Sequence, residues 1–378
     1  MKKLIPILVI SLVLAFLSQQ RSRRRVNSLD RVEYVYKDGL FYFLMAFAMA
    51  FFVGLRSRGN DTFAYRHMYE NILPGSNPVK LLLTTELAGS PGLTWLTAVL
   101  RNAGASTQDY FMVCALFTVL TYHWFLRKYT TDIWLSVFYF ITMGVYTFTM
   151  AAIKQTMAVA FLVIATDAAI EKKWMKYAFW MVIAELFHPY AFIYLVVPFL
   201  AFRPWSQYTS LLLAGTLVMA LSLSRFMGSI GDLTDALGFD YDDNAFSGAG
   251  VNIFRVIVVW VPLVLSYICR GQLHYSQNRV QNMIINLSMM NSVIMFIGLF
   301  GTANYFARLA NYFLIFQCIA LPMILQQFIA ASERQLRFLS ETGFLGYFYY
   351  AEAIANGSFD GNYAFIGVTD FFRQLFRG

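Results

Sequence analysis

The chain has 378 residues, of which 58% are hydrophobic and 13% charged, and its net charge is +8. Soluble domains usually contain about 45–50% apolar and about 25% charged residues, so this composition excludes an ordinary soluble protein. The basic residues fall mainly in short breaks between apolar segments, which favours membrane topology over nucleic-acid binding as their explanation.

Apolar segments of spanning or nearly spanning length recur along the whole chain. A helix needs about 20 residues to cross the hydrocarbon core of a bilayer. The pattern predicts an all-α fold, a polytopic transmembrane helical bundle of about 12 spans, which forms a single integral membrane domain over residues 1–378. The predicted spans are residues 4–18, 39–55, 108–126, 132–149, 153–170, 175–188, 190–203, 208–226, 251–269, 281–300, 309–331 and 338–354.

The first predicted span resembles a secretory signal, because two lysines precede an apolar stretch. An arginine cluster over residues 21–25 follows it and resists translocation, so we expect an uncleaved span. These arginines outweigh Lys2 and Lys3, so the positive-inside rule places the N-terminus outside the cell. Alternation then places the later basic breaks in the cytoplasm, namely Arg127–Lys128, Glu171–Lys176, Arg203, Arg270–Arg279 and Arg334–Arg337.

This orientation predicts two large external segments. Residues 56–107 include the stretch 91–104, which is too short to cross the membrane, so we expect interfacial helices in this segment. Residues 227–250 carry five aspartates and form the second external loop. Neither segment has the length or composition of a separate soluble domain.

Unexpected polar residues gather near the outer ends of the predicted spans. A cation at the mouth of a span is costly unless it is paired or faces a cavity, so it suggests function by default. The alternative is an interfacial cation that snorkels to lipid headgroups, although the outer face lacks the usual positive bias. The residues concerned are Arg56, Arg58, Asp61, Lys154, His188 and Arg308.

The segment GLRSRGNDTFAYRHMYEN, residues 54–71, follows the exit of the second span. Its two arginines are suited to binding phosphate oxygens bidentately. A Gly-Asn-Asp turn follows them, and Asp61 either pairs with an arginine or caps the next helix. Lys154 lies within an apolar span, where outward snorkelling is the alternative to a functional role.

Three further candidates lie later in the chain. Glu185 and His188 have the spacing of one helix face, but this Glu-x-x-His motif occurs once, whereas di-iron bundles carry it twice. Arg308 lies among aromatic residues, and Arg255, which follows the acidic loop, is a weaker candidate. Asp167, near the cytoplasmic end of its span, is expected to pair with Lys172 or to be an interfacial charge.

Several classes of enzyme find no support in the motifs. The sequence has no Walker A motif, no Gly-x-Ser-x-Gly elbow and no His-Glu-x-x-His motif, so an ATP-driven pump and a membrane metalloprotease are unsupported. The cysteines lie in separate apolar segments, which predicts buried, inert thiols rather than a disulfide framework or a zinc site. They are Cys114, Cys269 and Cys318.

Four motifs follow one another over roughly residues 40–330 at matching hydropathy positions. The first is GLRSRGNDTFAYRHMYE, in which Arg56 and Arg58 both fit the signature arginine, and the second is AAIKQTMAVAF, in which Lys154 replaces the usual arginine. The third is KKWMKYAFWMVIAELFHPYAFIYL, and the fourth is FARLANYFLIF. Together they resemble the EpsG family of bacterial exopolysaccharide membrane proteins, which are Wzy-like repeat-unit polymerases.

The resemblance implies a GT-C-like fold in the bacterial cytoplasmic membrane, with an active site on the external face. A growing glycan on undecaprenyl pyrophosphate would pass to a lipid-linked repeat unit, with no cofactor, no metal and no nucleic acid. Fixed cations would stabilise the pyrophosphate leaving group. The resemblance and the residue types assign His188, with Asp61 as the alternative, to the base, and assign pyrophosphate or glycan binding to Arg56, Arg58, Tyr65, Lys154, Arg255 and Arg308.

Membrane lipid, a chain-length regulator and other capsule or exopolysaccharide export proteins are the further expected partners. The main alternative is a transporter or flippase of the same lipid-linked oligosaccharide, which should show interrupted helices, mid-membrane charges and pseudo-symmetric halves. The external position of the charges and the absence of a repeat favour an enzyme. A structural subunit of a synthase assembly is a third class, and in it the charged residues would be dispensable.

Overall fold

The computed structural model describes residues 1–26, 33–221, 250–275, 278–301, 303–355 and 358–375, and helices dominate it. The helices of the first part are α1 (Ile5–Arg21), α2 (Leu40–Gly54), α3 (Thr62–Asn71), α4 (Pro78–Thr84), α5 (Pro91–Asn102), α6 (Thr107–Tyr129) and α7 (Ile133–Thr142). Those of the second part are α8 (Val145–Ala151), α9 (Ile153–Ile170), α10 (Trp174–Phe187), α11 (Gln207–Leu221), α12 (Ile253–Ile268), α13 (Arg270–Tyr275), α14 (Arg279–Ile297), α15 (Arg308–Leu325), α16 (Ala330–Tyr350), α17 (Phe359–Asn362) and α18 (Val368–Leu375).

Shorter elements of other geometry connect these helices. The 3₁₀ helices are Leu87–Gly89 and Pro189–Leu200, and π-helical turns cover Ala303–Ala307 and Ala351–Ala355. The strands form two small antiparallel pairs, β1 (Arg23–Val26) with β2 (Glu33–Tyr36) and β3 (Arg56–Arg58) with β4 (Ala364–Phe365).

Within the described residues, four helical segments are long and apolar enough to cross a membrane, namely Thr107–Tyr129, Ile153–Ile170, Arg279–Ile297 and Tyr305–Leu325. The pair α7 and α8 makes a fifth if the two helices together form one bent span. Four further apolar helices are shorter, with 10–17 residues, and these are Ile5–Arg21, Leu40–Gly54, Pro189–Leu200 and Ile253–Ile268. The expectation of an all-α membrane protein is confirmed, whereas the number of twelve spans stays a prediction.

One predicted span is broken. Residues 132–149 were expected to form one straight helix, but α7 and α8 meet at an angle of 47°. Gly144 lies between them with φ +80°, a left-handed conformation that ends a helix and that glycine adopts without a steric penalty. The break therefore follows from a glycine within an otherwise apolar helical pattern.

His188 is not on the same helix face as Glu185, contrary to the prediction. Helix α10 ends at Phe187, and His188 is extended, with φ −156° and ψ 122°. Pro189 disfavours helical geometry at the residue before it, which accounts for the end of the helix. The chain continues as a 3₁₀ helix, so the Glu-x-x-His spacing does not bring these side chains together along one helical row.

The long central helices run between two ends of the bundle, which we name after the termini of α9. At the Lys154 end, Gln155 donates a hydrogen bond to the carbonyl of Arg308. At the Asp167 end, the Asp167 carboxylate accepts hydrogen bonds from Lys128 and from the hydroxyl of Tyr129. The prediction that Asp167 pairs with Lys172 was wrong, because Lys128 at the end of α6 lies beside this carboxylate.

Residues 56–107 contain short elements only, from β3 to α5. Helix α5 has 12 residues, which confirms that the stretch 91–104 does not have spanning length. The interfacial position of these helices stays a prediction. A Cβ on Gly92 would lie 2.8 Å from the ring of Phe187, so close packing holds α5 against the end of α10.

The three cysteines are buried free thiols, as predicted. One other prediction concerns residues outside the described ranges. It is the acidic loop 227–250, of which the structure describes residue 250 alone.

Candidate functional site

Arg56 lies beneath the surface of the Lys154 end. Its side chain is 2% exposed, and Nη1 donates a 3.0 Å hydrogen bond to the carbonyl of Thr149. The guanidinium carbon lies 5.2 Å from the ring centroid of Phe111, a cation–π distance. Its Nε is buried without a hydrogen-bond partner among the described residues. Arg56 thus places a buried positive charge under the surface.

Arg58 is exposed and points away from Arg56. Its Nη2 donates a 3.0 Å hydrogen bond to the carbonyl of Gly361. Residues two apart on a regular strand share a face, but β3 has a register shift between these arginines, with Arg56 opposite Phe365 and Arg58 opposite Ala364. The irregularity accounts for the separation of the two side chains.

The predicted Gly-Asn-Asp turn is confirmed. Gly59 and Asn60 have φ values of 145° and 36°, and the N–H of Thr62 donates to the carbonyl of Gly59. Asp61 occupies the N-cap position of α3, but its carboxylate makes no capping hydrogen bond. It also forms no ion pair with a described residue, so neither expected role of this exposed carboxylate is observed.

Tyr65 connects this turn to α9. It is 8% exposed, and its hydroxyl accepts a 3.2 Å hydrogen bond from the backbone N–H of Lys154. Burial raises the pKa of Tyr65 to about 12, so the phenol stays protonated near neutral pH. Arg56, Asp61 and Arg308 are all near enough to interact electrostatically with this hydroxyl.

Lys154, His188 and Arg308 come together although they are far apart in the sequence. Both cations interact electrostatically with the imidazole of His188. Tyr312, one helical turn after Arg308, has its hydroxyl 2.8 Å from Nδ1 of His188. We call Tyr65, Lys154, His188, Arg308 and Tyr312 the cation cluster. Four of the eight predicted site residues therefore belong to one cluster.

Two groups lie within hydrogen-bond distance of Nδ1 of His188. The backbone N–H of Tyr190 points at Nδ1 from 3.4 Å, and the hydroxyl of Tyr312 lies nearer, at 2.8 Å. A hydroxyl can donate to Nδ1 or accept from it, so the contact with Tyr312 fits either tautomer of the neutral imidazole.

Arg255 occupies a separate position at the same end. Its Nη2 donates a 2.8 Å hydrogen bond to Oδ1 of Asn311, which lies beside Tyr312 on α15. Arg255 and Asn311 both line a cavity of about 820 Å³. Of the eight predicted site residues, Arg255 alone appears in the lining of this cavity.

Cations at the two ends of the bundle differ in part in their ion pairing. At the Asp167 end, the pairs with carboxylates are Arg21–Asp38, Lys128–Asp167, Lys128–Glu171, Lys173–Glu171, Arg337–Asp132 and Arg337–Glu341. Three other cations of that end, Lys37, Arg127 and Arg279, donate to backbone carbonyls instead. At the Lys154 end, no described carboxylate lies within 4.0 Å of the cations Arg56, Lys154, Arg255 and Arg308. These four cations therefore have no described ion-pair partner.

Within the described ranges, no three His, Cys, Asp or Glu residues are grouped so as to hold a metal ion. The charged groups of the Lys154 end are instead suited to an anion. Arginine and lysine both bind phosphate, arginine through a planar fork and lysine as a point charge.

Sequence reasoning missed several residues of this end. Glu352 lines the cavity and lies in the stretch YFYYAEAIA, where a lone carboxylate among apolar residues is a signal that was available. Tyr312 and Asn311 belong to the fourth motif but were not chosen. Tyr363 also lines the cavity, and its contact with residues 56–60 depends on pairing across about 300 positions, which no local pattern reveals.

Comparison with known proteins gave one match. A family model described as EpsG family matches residues 39–366, which is nearly the whole chain. Neither a curated protein nor a solved structure matches the chain.

Proposed function

The chain belongs to the EpsG family, and on that premise we propose that it is a polysaccharide repeat-unit polymerase. In this proposal it is a glycosyltransferase of the bacterial cytoplasmic membrane that acts in exopolysaccharide or capsule biosynthesis. It transfers a growing glycan from undecaprenyl pyrophosphate to a lipid-linked repeat unit, and the Lys154 end of the bundle faces outward.

The observation that carries the proposal is the unpaired positive charge at the Lys154 end. Arg56 is buried and Lys154 and Arg255 are half-buried, and such cations are costly unless an anion compensates them, while Arg308 is exposed beside them. At the opposite end, Lys128 and Arg337 each contact two carboxylates. A pyrophosphate group supplies the missing negative charge.

The reaction needs charge stabilisation at the leaving group. The hydroxyl oxygen of the acceptor attacks the anomeric carbon of the donor glycan and forms a new C–O bond. The bond from that carbon to the pyrophosphate oxygen breaks, and its electron pair leaves with the lipid pyrophosphate. Lys154 and Arg308 bind this developing charge, which positioned cations stabilise.

The remaining residues have supporting roles in the proposal. Tyr65 fixes the backbone at Lys154 by its hydrogen bond. Arg56 adds positive potential from beneath, and Arg58 lies at the exposed rim, where it can meet the charged head of the substrate. Arg255 faces the glycan rather than the pyrophosphate, because it lines the cavity.

The hydroxyl of the acceptor loses a proton during transfer, and we assign His188 as its final acceptor. His188 is half-buried, and in the tautomer that donates its Nδ1 hydrogen to Tyr312, Nε2 is free to take the proton of the sugar. Asp61 is the alternative base, because its carboxylate is exposed at the same end.

One observation favours a second candidate function, a transporter of the same lipid-linked oligosaccharide. The bent pair α7 and α8 is an interrupted helix, and such helices surround substrate sites in transporters. Cells that lack the protein separate the two functions. Loss of a polymerase leaves single lipid-linked repeats outside, whereas loss of a transporter leaves them inside.

The proposal is tested by the chain length of the polymer in cells that carry Arg308→Ala. We expect single repeats instead of long polymer, with partial recovery in Arg308→Lys. Lys80→Ala is the matched control, because Lys80, like Arg308, is an exposed cation, and it lies in the segment 56–107 outside the cation cluster. Normal polymer length in Arg308→Ala would contradict the proposal, and polymerisation of a defined lipid-linked repeat by purified protein would support it directly.

A further inference from the structure

The cavity at the Lys154 end is formed where regular helices are interrupted. Gly144 at the α7–α8 bend, the π-helical turn Ala351–Ala355 and residues 250–252 all contribute to its wall. Backbone of irregular geometry at membrane depth is tolerated where it lines a cavity, and π-turns are frequent at functional sites. With a volume of about 820 Å³, the cavity falls within the range of sites for small organic ligands.

The lining of the cavity combines polar and aromatic groups. It includes amides that both donate and accept hydrogen bonds, phenols, one carboxylate and one guanidinium. Apolar faces come from phenylalanine and tyrosine rings. Among these residues are Asn60, Arg255, Asn311, Tyr347, Glu352 and Tyr363.

Glu352 is the carboxylate of this lining. It is half-buried, and its Oε1 accepts a 2.7 Å hydrogen bond from the hydroxyl of Thr147. No described cation lies within ion-pair distance of it, so it is not held there by a salt bridge. A carboxylate in this position is costly, and its retention indicates that it binds hydroxyl or amide donors of a ligand.

Arg255 faces the same cavity. One of its five N–H donors binds Asn311. The guanidinium forms no other hydrogen bond to the described residues. Both Arg255 and Glu352 interact electrostatically with Tyr347 without pairing to each other. A ligand with several adjacent hydroxyl groups can bind both side chains at once.

The cavity adjoins the cation cluster. Asn311 lies one helical turn after Arg308 and directly before Tyr312, and Asn60 directly precedes Asp61. A molecule with its pyrophosphate at Lys154 and Arg308 would therefore have its attached sugars near this cavity. Sugar rings present hydroxyl groups around their edge and C–H groups on their faces, which match polar groups and aromatic rings respectively.

We propose that this cavity binds the saccharide part of the substrate, and that Glu352 and Arg255 bind its hydroxyl groups. The inference rests on the proposed function for the source of the saccharide. It assigns the sugars and the pyrophosphate to two neighbouring but separate sets of residues.

The test measures saccharide binding without the lipid pyrophosphate. The probe is a set of short oligosaccharides prepared by partial acid hydrolysis of the host's own extracellular polysaccharide. Binding to the purified, detergent-solubilised protein is followed by saturation-transfer NMR. We expect wild type to bind, and Glu352→Gln and Arg255→Met to bind at least about tenfold more weakly, the factor that corresponds to loss of about one hydrogen bond to a charged group.

Two controls keep the test specific. Glu333→Gln removes a carboxylate from the first turn of α16, far from the cavity on the same helix, and binding should be unchanged. Lys80→Ala should also leave oligosaccharide binding unchanged, because Lys80 is an exposed cation that neither lines the cavity nor belongs to the cation cluster. Size-exclusion and thermal melting identify a variant that is misfolded, and Glu352→Asp then replaces Glu352→Gln.

The outcomes separate this inference from the proposed function. Absence of binding in wild type, or equal binding in wild type, Glu352→Gln and Arg255→Met, would overturn the saccharide site. Normal polymer length in Arg308→Ala cells, with saccharide binding that depends on Glu352, would instead overturn the proposed polymerase and leave the site standing.

Discussion

The hydroxyl of Tyr312 lies 2.8 Å from Nδ1 of His188 and joins two segments that are 124 residues apart in sequence. Tyr312 is 0% exposed and fixed within α15, so the hydroxyl is held in place. A phenol without exposed surface does not touch the substrate, so this contact orients the imidazole of His188.

The contact predicts that Tyr312→Phe slows glycosyl transfer about tenfold, because the imidazole loses the hydrogen bond that orients it. The measurement is the rate of polymer formation by purified protein from a defined lipid-linked repeat. Tyr122→Phe is the control, because this buried phenol also loses a hydrogen bond, to the carbonyl of Thr156, outside the cluster. Equal rates in the two variants would show that Tyr312 is structural.

At the Lys154 end, the sequence predicted those site residues whose chemistry is evident from a single residue. Lys154 and Arg308 are charges within or beside apolar segments, and such residues are visible without a structure. The bounds of α9, Ile153–Ile170, match the predicted span because no glycine or proline interrupts it. The resemblance to the EpsG family, now confirmed, pointed to the same two residues.

Other features depend on contacts between distant residues and were not predictable. Burial of Arg56 and exposure of Arg58 follow from the pairing of β3 with residues 364–365, and two arginines in one motif are otherwise equivalent. The approach of Glu352 to Thr147 depends on how α16 packs beside α8. Periodicity locates helices but does not tell which helices are neighbours.

Substitution of Lys154 tests the proposed pyrophosphate contact. Lys154→Arg restores the residue type usual in the EpsG family and adds a bidentate fork, so we expect kcat/KM for the lipid-linked donor to rise about tenfold. Lys154→Met keeps the length of the stem without its charge and should lower kcat/KM about 10- to 100-fold. If Lys154→Met is as active as wild type, Lys154 is an interfacial cation that snorkels and does not bind substrate.

The proposed outward orientation of the Lys154 end predicts a pattern of chemical labelling. The native thiols are buried, so an introduced cysteine reacts against a low background. Lys80→Cys, in the segment 56–107, should react with a membrane-impermeant maleimide in intact cells, because Lys80 is exposed and expected outside. Lys173→Cys, which is exposed at the Asp167 end, should react only after the membrane is permeabilised. The reverse pattern would place the cation cluster on the cytoplasmic face.

We expect that Arg56 lowers the free energy of unfolding of the protein although polymer formation needs it. Its charge is buried with one carbonyl, one aromatic ring and no carboxylate, and its Nε has no described partner. The free energy of desolvating this charge exceeds the stabilisation that these contacts provide. Methionine fills a similar volume and has no charge to desolvate. Arg56→Met should therefore leave the free energy of unfolding unchanged or raise it, while polymer formation falls.

A comparison with Arg101 separates the effect of burial on stability from the effect of the contacts. Arg101 also donates to a backbone carbonyl, that of Ile72 at 2.9 Å, and lies 5.3 Å from the ring centroid of Tyr69, but it is only half-buried. Since water already solvates its charge, Arg101→Met loses the contacts without recovering a desolvation cost, and we expect about 1 kcal/mol of destabilisation. Thermal melting in detergent compares the two variants. A larger loss of stability in Arg56→Met than in Arg101→Met would show that Arg56 holds the fold together and that its charge is not retained for the substrate.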